Sequence, residues 1–404
     1  MPVYLFATLD TKGAEAAFVR DTLRAAGVDV VLVDTGCLGE PQLEADVARD
    51  ALFAAAGADL AALRERADRG EAVTRAADGA AELARRAFAA GELAGVLGIG
   101  GGAGTTIATR AMRALPIGVP KLMVSTLASG EVGHFVGTRD VMMMSSVVDI
   151  LGLNRVSRAV LSRAAQAMAG MALAGALPSS SEDRPLVGAT MFGVTTPCVE
   201  RAREVLERAG YEVLVFHATG SGGRTLESLI DDGLLAGVLD VTTTELADEL
   251  VGGVLSAGPE RLTAAARAGV PQVVSVGATD MVNFHGADTV PAPFRERTLY
   301  RHNENVTLMR TTAEECERIG ADLASKLAPA RGAARILLPA RGVSAIDREG
   351  QPFDHPEARR ALFEAVRANA GEVRVDELDL HVNDAAFAET AAAALLELLG
   401  PPPA

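Results

Sequence analysis

Two halves of this chain repeat each other, and that repeat constrains the fold more than any other feature. LRAAGVDVVLVDTG at residues 23–36 returns as LERAGYEVLVFHATG at 206–220. LAGVLGIGGGAGTT at 93–106 returns as LAGVLDVTTTEL at 235–246, and IGVPKLMVS at 117–125 returns as AGVPQVVSV at 268–276. Each half also opens on a short apolar run, 3–9 or 186–191, followed by a helical pattern. Short apolar runs alternating with helical stretches are the mark of βα units around a parallel sheet. Four matched blocks in one order therefore predict an α/β chain of two duplicated Rossmann-like domains, with parallel sheets and an interdomain cleft. The segment PSSSEDRP at 178–185 reads as the linker, which gives an N-terminal domain over 1–180 and a C-terminal domain over 184–404.

The first half carries an insert, about residues 40–91, rich in Ala, Arg and Glu at helical spacing. Its character predicts helices that cover a face or a partner and take no part in chemistry. Methionines 142–144 read as core filler. Residues 278–312 read as an irregular polar stretch, and the tail PPPA as frayed.

A length of 404 residues suffices for two buried cores, and an apolar content of 49% excludes a disordered chain. No apolar run reaches the ~20 residues that span a bilayer, and the first residues lack a basic leader pattern. The expectation is a cytoplasmic protein with no membrane partner. A net charge of −15 argues against nucleic acid, whose phosphates need clustered Lys and Arg. Cys37, Cys198 and Cys316 lie too far apart for ligand spacing and read as small buried residues.

The chemistry is expected beyond the carboxyl ends of the strands, where open parallel sheets bind ligands. After the strand ending at Ile99, the glycines Gly100, Gly101, Gly102 and Gly104 expose backbone N–H groups just before a helix opened by Thr105 and Thr106. A glycine turn at a helix N-terminus suits phosphate. A tight turn that binds nothing is the competing reading, and it needs fewer glycines. The loop is neither a Walker A sequence nor a complete GxGxxG, so it does not by itself name a nucleotide.

Asp10, Thr11, Lys12 and Gly13 follow the first strand, and Ser125 and Thr126 end the strand at 121–125. In the second half, Gly220, Gly222 and Gly223 read as a second anion loop. Thr242, Thr243 and Thr244 read either as a hydroxyl clamp or as a helix cap before Glu245. Lys12 is one of only three lysines and could place an ammonium on a phosphate. His217 and His285 are candidate acid–base groups among strand-end histidines that include His134 and His302, and Asp240, Asp10 or Asp280 could hold a divalent ion. Arg295, Arg297, Arg301 and Arg310 are a weaker candidate clamp for an anionic substrate. No histidine pair has metal-ligand spacing, so zinc held by the protein is not expected.

DTKGAE, GIGGGAGTT, GVPKLMVSTLASG, SVVDILGLNR, TMFGVTTPCVE, VFHATGSGGR, LDVTTTELADELVGG, DMVNFH, RHNENVTLMRTT and HVNDAAFA together resemble one poorly characterised bacterial and plant family. It includes the N-terminal inhibitory domain of the tomato mosaic virus resistance protein, and the resemblance covers nearly the whole chain. It implies two Rossmann-like subdomains, ATP with magnesium, and a homodimer. The ATP site would fall on residues 100–106, with 11–13, 220–223 and 242–244 nearby. The plant protein adds a TIM-barrel-like domain, so the resemblance also implies a separate barrel protein as a possible partner.

Two functions follow as expectations. One is an ATP-dependent enzyme acting on a small organic acid by phosphoryl transfer or carboxylate activation, with Lys12 for charge, Asp240 or Asp10 for magnesium, and His217 or His285 for the proton. The other is a nucleotide-responsive module without turnover.

Overall fold

The computed structural model describes residues 1–37, 39–66, 68–175, 183–330 and 333–400. The chain divides into two units, Met1–Ser179 and Ser180–Ala404. Most of the expected linker, and the tail 401–404, lie outside the described residues.

Unit 1 contains five strands, β1 (Val3–Ala7), β2 (Val30–Asp34), β3 (Gly95–Gly100), β4 (Lys121–Ser125) and β5 (Met142–Ser145). They pair in the order β2-β1-β3-β4-β5, and every pair is parallel. The helices are α1 (Leu9–Ala25), α2 (Arg49–Ala55), α3 (Leu60–Arg66), α4 (Arg69–Ala89), α5 (Gly102–Arg113), α6 (Gly133–Val136) and α7 (Arg155–Ala174). Strand side chains alternate between two cores. Leu5, Leu97 and Ile99 pack with α1 and α7 on one face. Phe6, Val96 and Met123 pack with α2 to α5 on the other.

The insert is part of this second core. In α4 the small residues Ala72, Ala76, Ala80 and Ala84 recur every fourth position and are buried, a stripe that brings the helix close to its neighbours. β5 is an edge strand and Met142 is half exposed, so the methionine run fills the core only in part.

Unit 2 contains β6 (Leu186–Met191), β7 (Glu212–His217), β8 (Gly237–Thr242), β9 (Gln272–Gly277), β10 (Met281–Phe284), β11 (Leu299–Arg301), β12 (Thr307–Arg310), β13 (Ala334–Pro339) and β14 (Arg374–Leu378). Its helices are α8 (Thr196–Arg208), α9 (Ser221–Asp231), α10 (Thr244–Val251), α11 (Ala264–Ala268), α12 (Ala313–Leu327), α13 (Pro356–Asn369) and α14 (Ala385–Leu399). The main sheet runs β7-β6-β8-β9-β13-β14, again wholly parallel. Its first five strands follow the topological order of unit 1.

The stretch expected to be irregular holds a three-stranded antiparallel sheet, β10-β12-β11. The pattern was hidden because β10 and β12 are buried throughout, polar Asn283 and Arg310 included, so the usual alternation of apolar and polar residues is missing. A Thr312–Glu315 capping box then starts α12.

Candidate functional site

In a sheet ordered β2-β1-β3, the chain leaves β1 and β3 toward opposite faces, and a crevice opens beyond their carboxyl ends. In unit 1 this place holds a cavity of about 400 Å³. Thr8, Asp10, Thr11 and Lys12 line it from the end of β1, and Cys37 and Gly39 from the loop after β2. Gly101 to Gly104 line it from the start of α5, and Arg69 and Val73 from the start of α4.

The glycine turn divides into two kinds of position. A Cβ on Gly100 would lie 2.9 Å from the Gly104 Cα, so the turn itself demands that glycine. A Cβ on Gly101 would meet nothing closer than the Thr126 Oγ1 at 3.6 Å, and one on Gly102 nothing closer than the Leu127 Cδ1 at 4.0 Å. Gly101 has φ −86° and Gly102 opens the helix, so neither needs left-handed backbone. No packing within the protein requires these two glycines, and their effect is to bare main-chain amides to the cavity. Gly101 is the N-cap and offers no capping side chain. The first N–H groups of α5 therefore have no acceptor within the helix, at the positive end of its dipole.

The expected neighbours of the turn take different parts. Thr105 Oγ1 and Ser125 Oγ are buried and bonded to each other at 2.7 Å, and Ser125 Oγ also accepts from the Leu127 N–H at 2.9 Å. They brace the turn from behind. Thr106 is exposed, with its hydroxyl donating to the Gly102 carbonyl, and Thr126 is half-buried, with its N–H donating to the Gly100 carbonyl. Gly13 is buried inside α1, where a Cβ would collide with Gln42.

Lys12 interrupts α1 with non-helical angles (φ −126°, ψ 26°), and its Nζ donates to the Ile150 carbonyl. Asp10 accepts from the Gly39 N–H at 3.1 Å, and Thr11 bonds Thr8. Behind this wall Asp34 accepts from the Leu9 and Gly36 N–H groups and pairs with Arg49 at 2.7 Å. Arg49 is buried and its Nη2 has no hydrogen-bond partner. Burial and the Asp10 carboxylate push the Cys37 thiol up to about 11, so it stands in the wall as a neutral thiol.

In unit 2 the corresponding place is filled by side chains. The turn after β8 carries Thr242, Thr243 and Thr244, all buried, whose hydroxyls bond Thr195, the Ser275 carbonyl and Asn283. They are internal structure, and neither clamp nor cap describes them: α10 has no side-chain cap. The Glu245 carboxylate accepts from the Gly220 N–H at 2.6 Å and the Gly223 N–H at 3.0 Å. The second anion loop thus holds the protein's own anion. A Cβ on Gly223 would lie 2.0 Å from Glu245 Oε2, and one on Gly222 1.8 Å from the His217 carbonyl oxygen.

Arg261, also buried, bonds Glu245 at 2.7 Å and holds both oxygens of Asp240 at 2.6 and 2.7 Å. Thr190 donates to Asp240 as well. Asp240 is therefore the inner half of a buried ion pair, with both oxygens bonded within the chain. His217 and His285 stand exposed at the ends of β7 and β10, as do His134 in α6 and His302 in its loop. Of the arginines, Arg310 is buried against Asp347 and Arg297 pairs with Glu315. Among the described residues no group of three His, Cys, Asp or Glu is placed to hold a metal ion.

Three carboxyl groups of unit 2 are displaced upward, Glu227 among them through burial. Burial pushes Asp248 up to about 7 against its bonds to Asn283 and Leu255. Burial and the neighbouring Asp347 carboxylate raise Asp280, which bonds Ser344 through one oxygen and leaves the other unpartnered.

Sequence reasoning missed Arg69, Val73 and Arg49, all within the insert, and passed over Cys37 and Gly39. Nothing in their local pattern marks them, because α4 is joined to the cavity only by packing across α5.

Comparison with known proteins gives two adjoining family matches. Residues 1–176 match the N-terminal domain, and 184–399 the C-terminal domain, of an uncharacterised protein family designated UPF0261. A UPF0261 protein of Clostridium tetani is 46% identical over 399 residues, covering 98% of each chain. One from Rhizobium meliloti is 49% identical over 402 residues, covering 99% of each. The tomato ToMV resistance protein Tm-1(GCR237) is 47% identical over 314 residues, 76% of this chain and 42% of that protein. Among solved structures, an S. aureus MnaA–UDP complex aligns over 67% of this chain and 78% of its own at 10% identity, with a TM-score of 0.22. No helix among the described residues is long and apolar enough to cross a membrane.

Proposed function

This chain belongs to the UPF0261 family, and from that premise and the cavity of unit 1 we propose that it binds ATP with magnesium at the Gly101–Gly104 turn. The observation that carries this reading is the pair of uncrowded glycines over an uncapped helix start, in a cavity at the reversal of strand order. An anion is the ligand such amides favour. Unit 2 supports the choice from within: there a carboxylate sits on glycine N–H groups beside a guanidinium. Magnesium takes few protein ligands and rides on phosphate oxygens and water. Asp10 is the acidic residue on the cavity wall that would approach it.

The reading continues to an ATP-dependent enzyme acting on a small organic acid by phosphoryl transfer or carboxylate activation. The two units are taken as a diverged duplication, on the matched blocks and the shared strand order, and the active form as a homodimer in the cytoplasm. Unit 1 supplies the nucleotide site. Unit 2, with its own equivalent place filled, carries the exposed His217 and His285, the candidates for the proton. A second reading is a nucleotide-responsive module without turnover, working with a separate barrel protein. It is favoured by the tomato relative, in which the matched region is 42% of a longer chain.

Thermal-shift and calorimetric titration with ATP, NAD and small carboxylates, followed by assay for ADP or AMP, decides between them. The enzyme reading expects stabilisation by ATP and nucleotide release with one of the acids. Stabilisation without release selects the module. Stabilisation by NAD and not ATP overturns the cofactor. Gly102→Asp places a carboxylate on the bare amides and is expected to abolish nucleotide binding with the fold retained.

A further inference from the structure

We propose that Arg69 selects the ligand of the unit 1 cavity by holding a second phosphate, so that the site takes organic di- and triphosphates in preference to monophosphates. This rests on the reading that the cavity binds a nucleotide. Arg69 is the first residue of α4 and lines the cavity together with the glycine turn. A volume of about 400 Å³ exceeds what one phosphoryl group fills and lies within the range of small-molecule sites. A ligand that fills it touches both the amides of Gly101 to Gly104 and the guanidinium.

The cation expected for this task was Lys12, which also lines the cavity and turns one N–H of its Nζ to the Ile150 carbonyl; its ammonium is a point charge without the guanidinium's fork. Neighbouring arginines are also engaged: Arg64 donates to the Cys37 carbonyl, and Arg66 and Arg75 pair with Glu71. Arg69 makes no hydrogen bond or ion pair among the described residues. Its charge nonetheless reaches the wall, where it acts on the Cys37 thiol.

One further observation points to an anion between these elements. In unit 2 a complete version of the arrangement exists, with the Glu245 carboxylate held between the Gly220 and Gly223 amides and Arg261. At the position matching Glu245 in the repeated blocks, unit 1 has Ala103, whose methyl leaves that space to a ligand. A guanidinium fork suits the paired oxygens of a phosphate better than an ammonium does.

The test is calorimetric titration of the full chain, at one fixed salt concentration, with ATP, ADP, AMP and inorganic triphosphate. Wild type is expected to bind ATP and triphosphate at least about tenfold more tightly than AMP. Arg69→Ala should remove at least about that factor for ATP and triphosphate, leave AMP within about twofold, and leave thermal unfolding unchanged, since the side chain is exposed. Arg69→Lys should fall between the two. Equal binding of every probe by wild type and Arg69→Ala, or AMP bound by wild type as tightly as ATP, overturns the role of Arg69 while the nucleotide reading stands. No binding of any nucleotide by wild type overturns that reading itself and the inference with it.

Discussion

The turn after β3 and the turn after β8 occupy the same place in two sheets of matching strand order, yet one borders a cavity and the other is packed with side chains. In unit 1 the turn reads Gly-Gly-Gly-Ala. In unit 2 it reads Thr-Thr-Thr-Glu, and the three hydroxyls and the carboxylate satisfy the neighbouring backbone and the Gly220–Gly223 loop. The difference teaches that one backbone plan serves two ends. Where polar side chains supply the partners, the crevice becomes a buried network that holds the unit together. Where glycines withhold them, the amides are left for something from outside.

The sharpest way to break the comparison is at Arg261. Its buried guanidinium offsets Asp240 and Glu245 together, so Arg261→Met strands two carboxylates away from water. A loss of about 3–5 kcal/mol is expected for such a change, read as a collapse of the denaturant midpoint of the full chain, and Arg69→Ala should cost nothing comparable. A loss below about 1 kcal/mol would mean that the network is not what holds unit 2.

Paired glycine variants come next. Gly223→Ala drives a methyl to 2.0 Å from Glu245 Oε2 and is expected to cost about 1–3 kcal/mol. Gly102→Ala meets open space, so stability should hold or rise by up to about 1 kcal/mol, while nucleotide affinity falls. Equal costs at the two sites would erase the distinction between a filled turn and an open one.

A pH effect separates the units further. The Asp248 carboxyl is raised to about 7 in the folded chain, above its ordinary value of 3.8. The folded state therefore holds the proton more tightly, and the stability this contributes is complete below about pH 4 and lost as pH rises through about 7. Going from pH 8 to pH 6 should add on the order of 1 kcal/mol from this group, with Asp280 and Glu227, raised in the same direction, adding to it. Asp248→Asn should flatten that slope, because the amide stays neutral and a turned Asn283 can offer it the oxygen that now lacks a partner. An unchanged slope would move the origin of the effect elsewhere. The smallest change is Ser125→Ala, which removes the 2.7 Å bond to Thr105 behind the glycine turn. It should cost about 1 kcal/mol and weaken nucleotide binding only through a looser turn.

Much of the parallel architecture was legible because its causes are local. Apolar runs such as Gly95–Gly100 are buried along their whole length, and glycine bounds them as expected for central strands. The glycine turn was legible for the same reason. The antiparallel sheet was not, since Asn283 and Arg310 interrupt the apolar pattern and find charged partners, Asp248 and Asp347, 35 and 37 residues away. Asp240 and Gly220–Gly223 looked like ligand-binding groups because a sequence lists donors and acceptors without saying which meet inside the chain. Arg69 was unmarked within the Ala-, Arg- and Glu-rich insert, and packing of α4 against α5 brings its first turn to the cavity.

Composition and spacing alone determined that the chain makes βα units in two matched series, because helix and strand periodicity, glycine turns and apolar runs act within a few residues of each other. Which of the two crevices stays open was decided in three dimensions. The outcome depends on whether Glu245 and Arg261, 16 residues apart, close over amides contributed by yet another loop. Desolvation is settled by that assembled surrounding: a buried charge persists where its partner arrives, and an amide stays bare where none does.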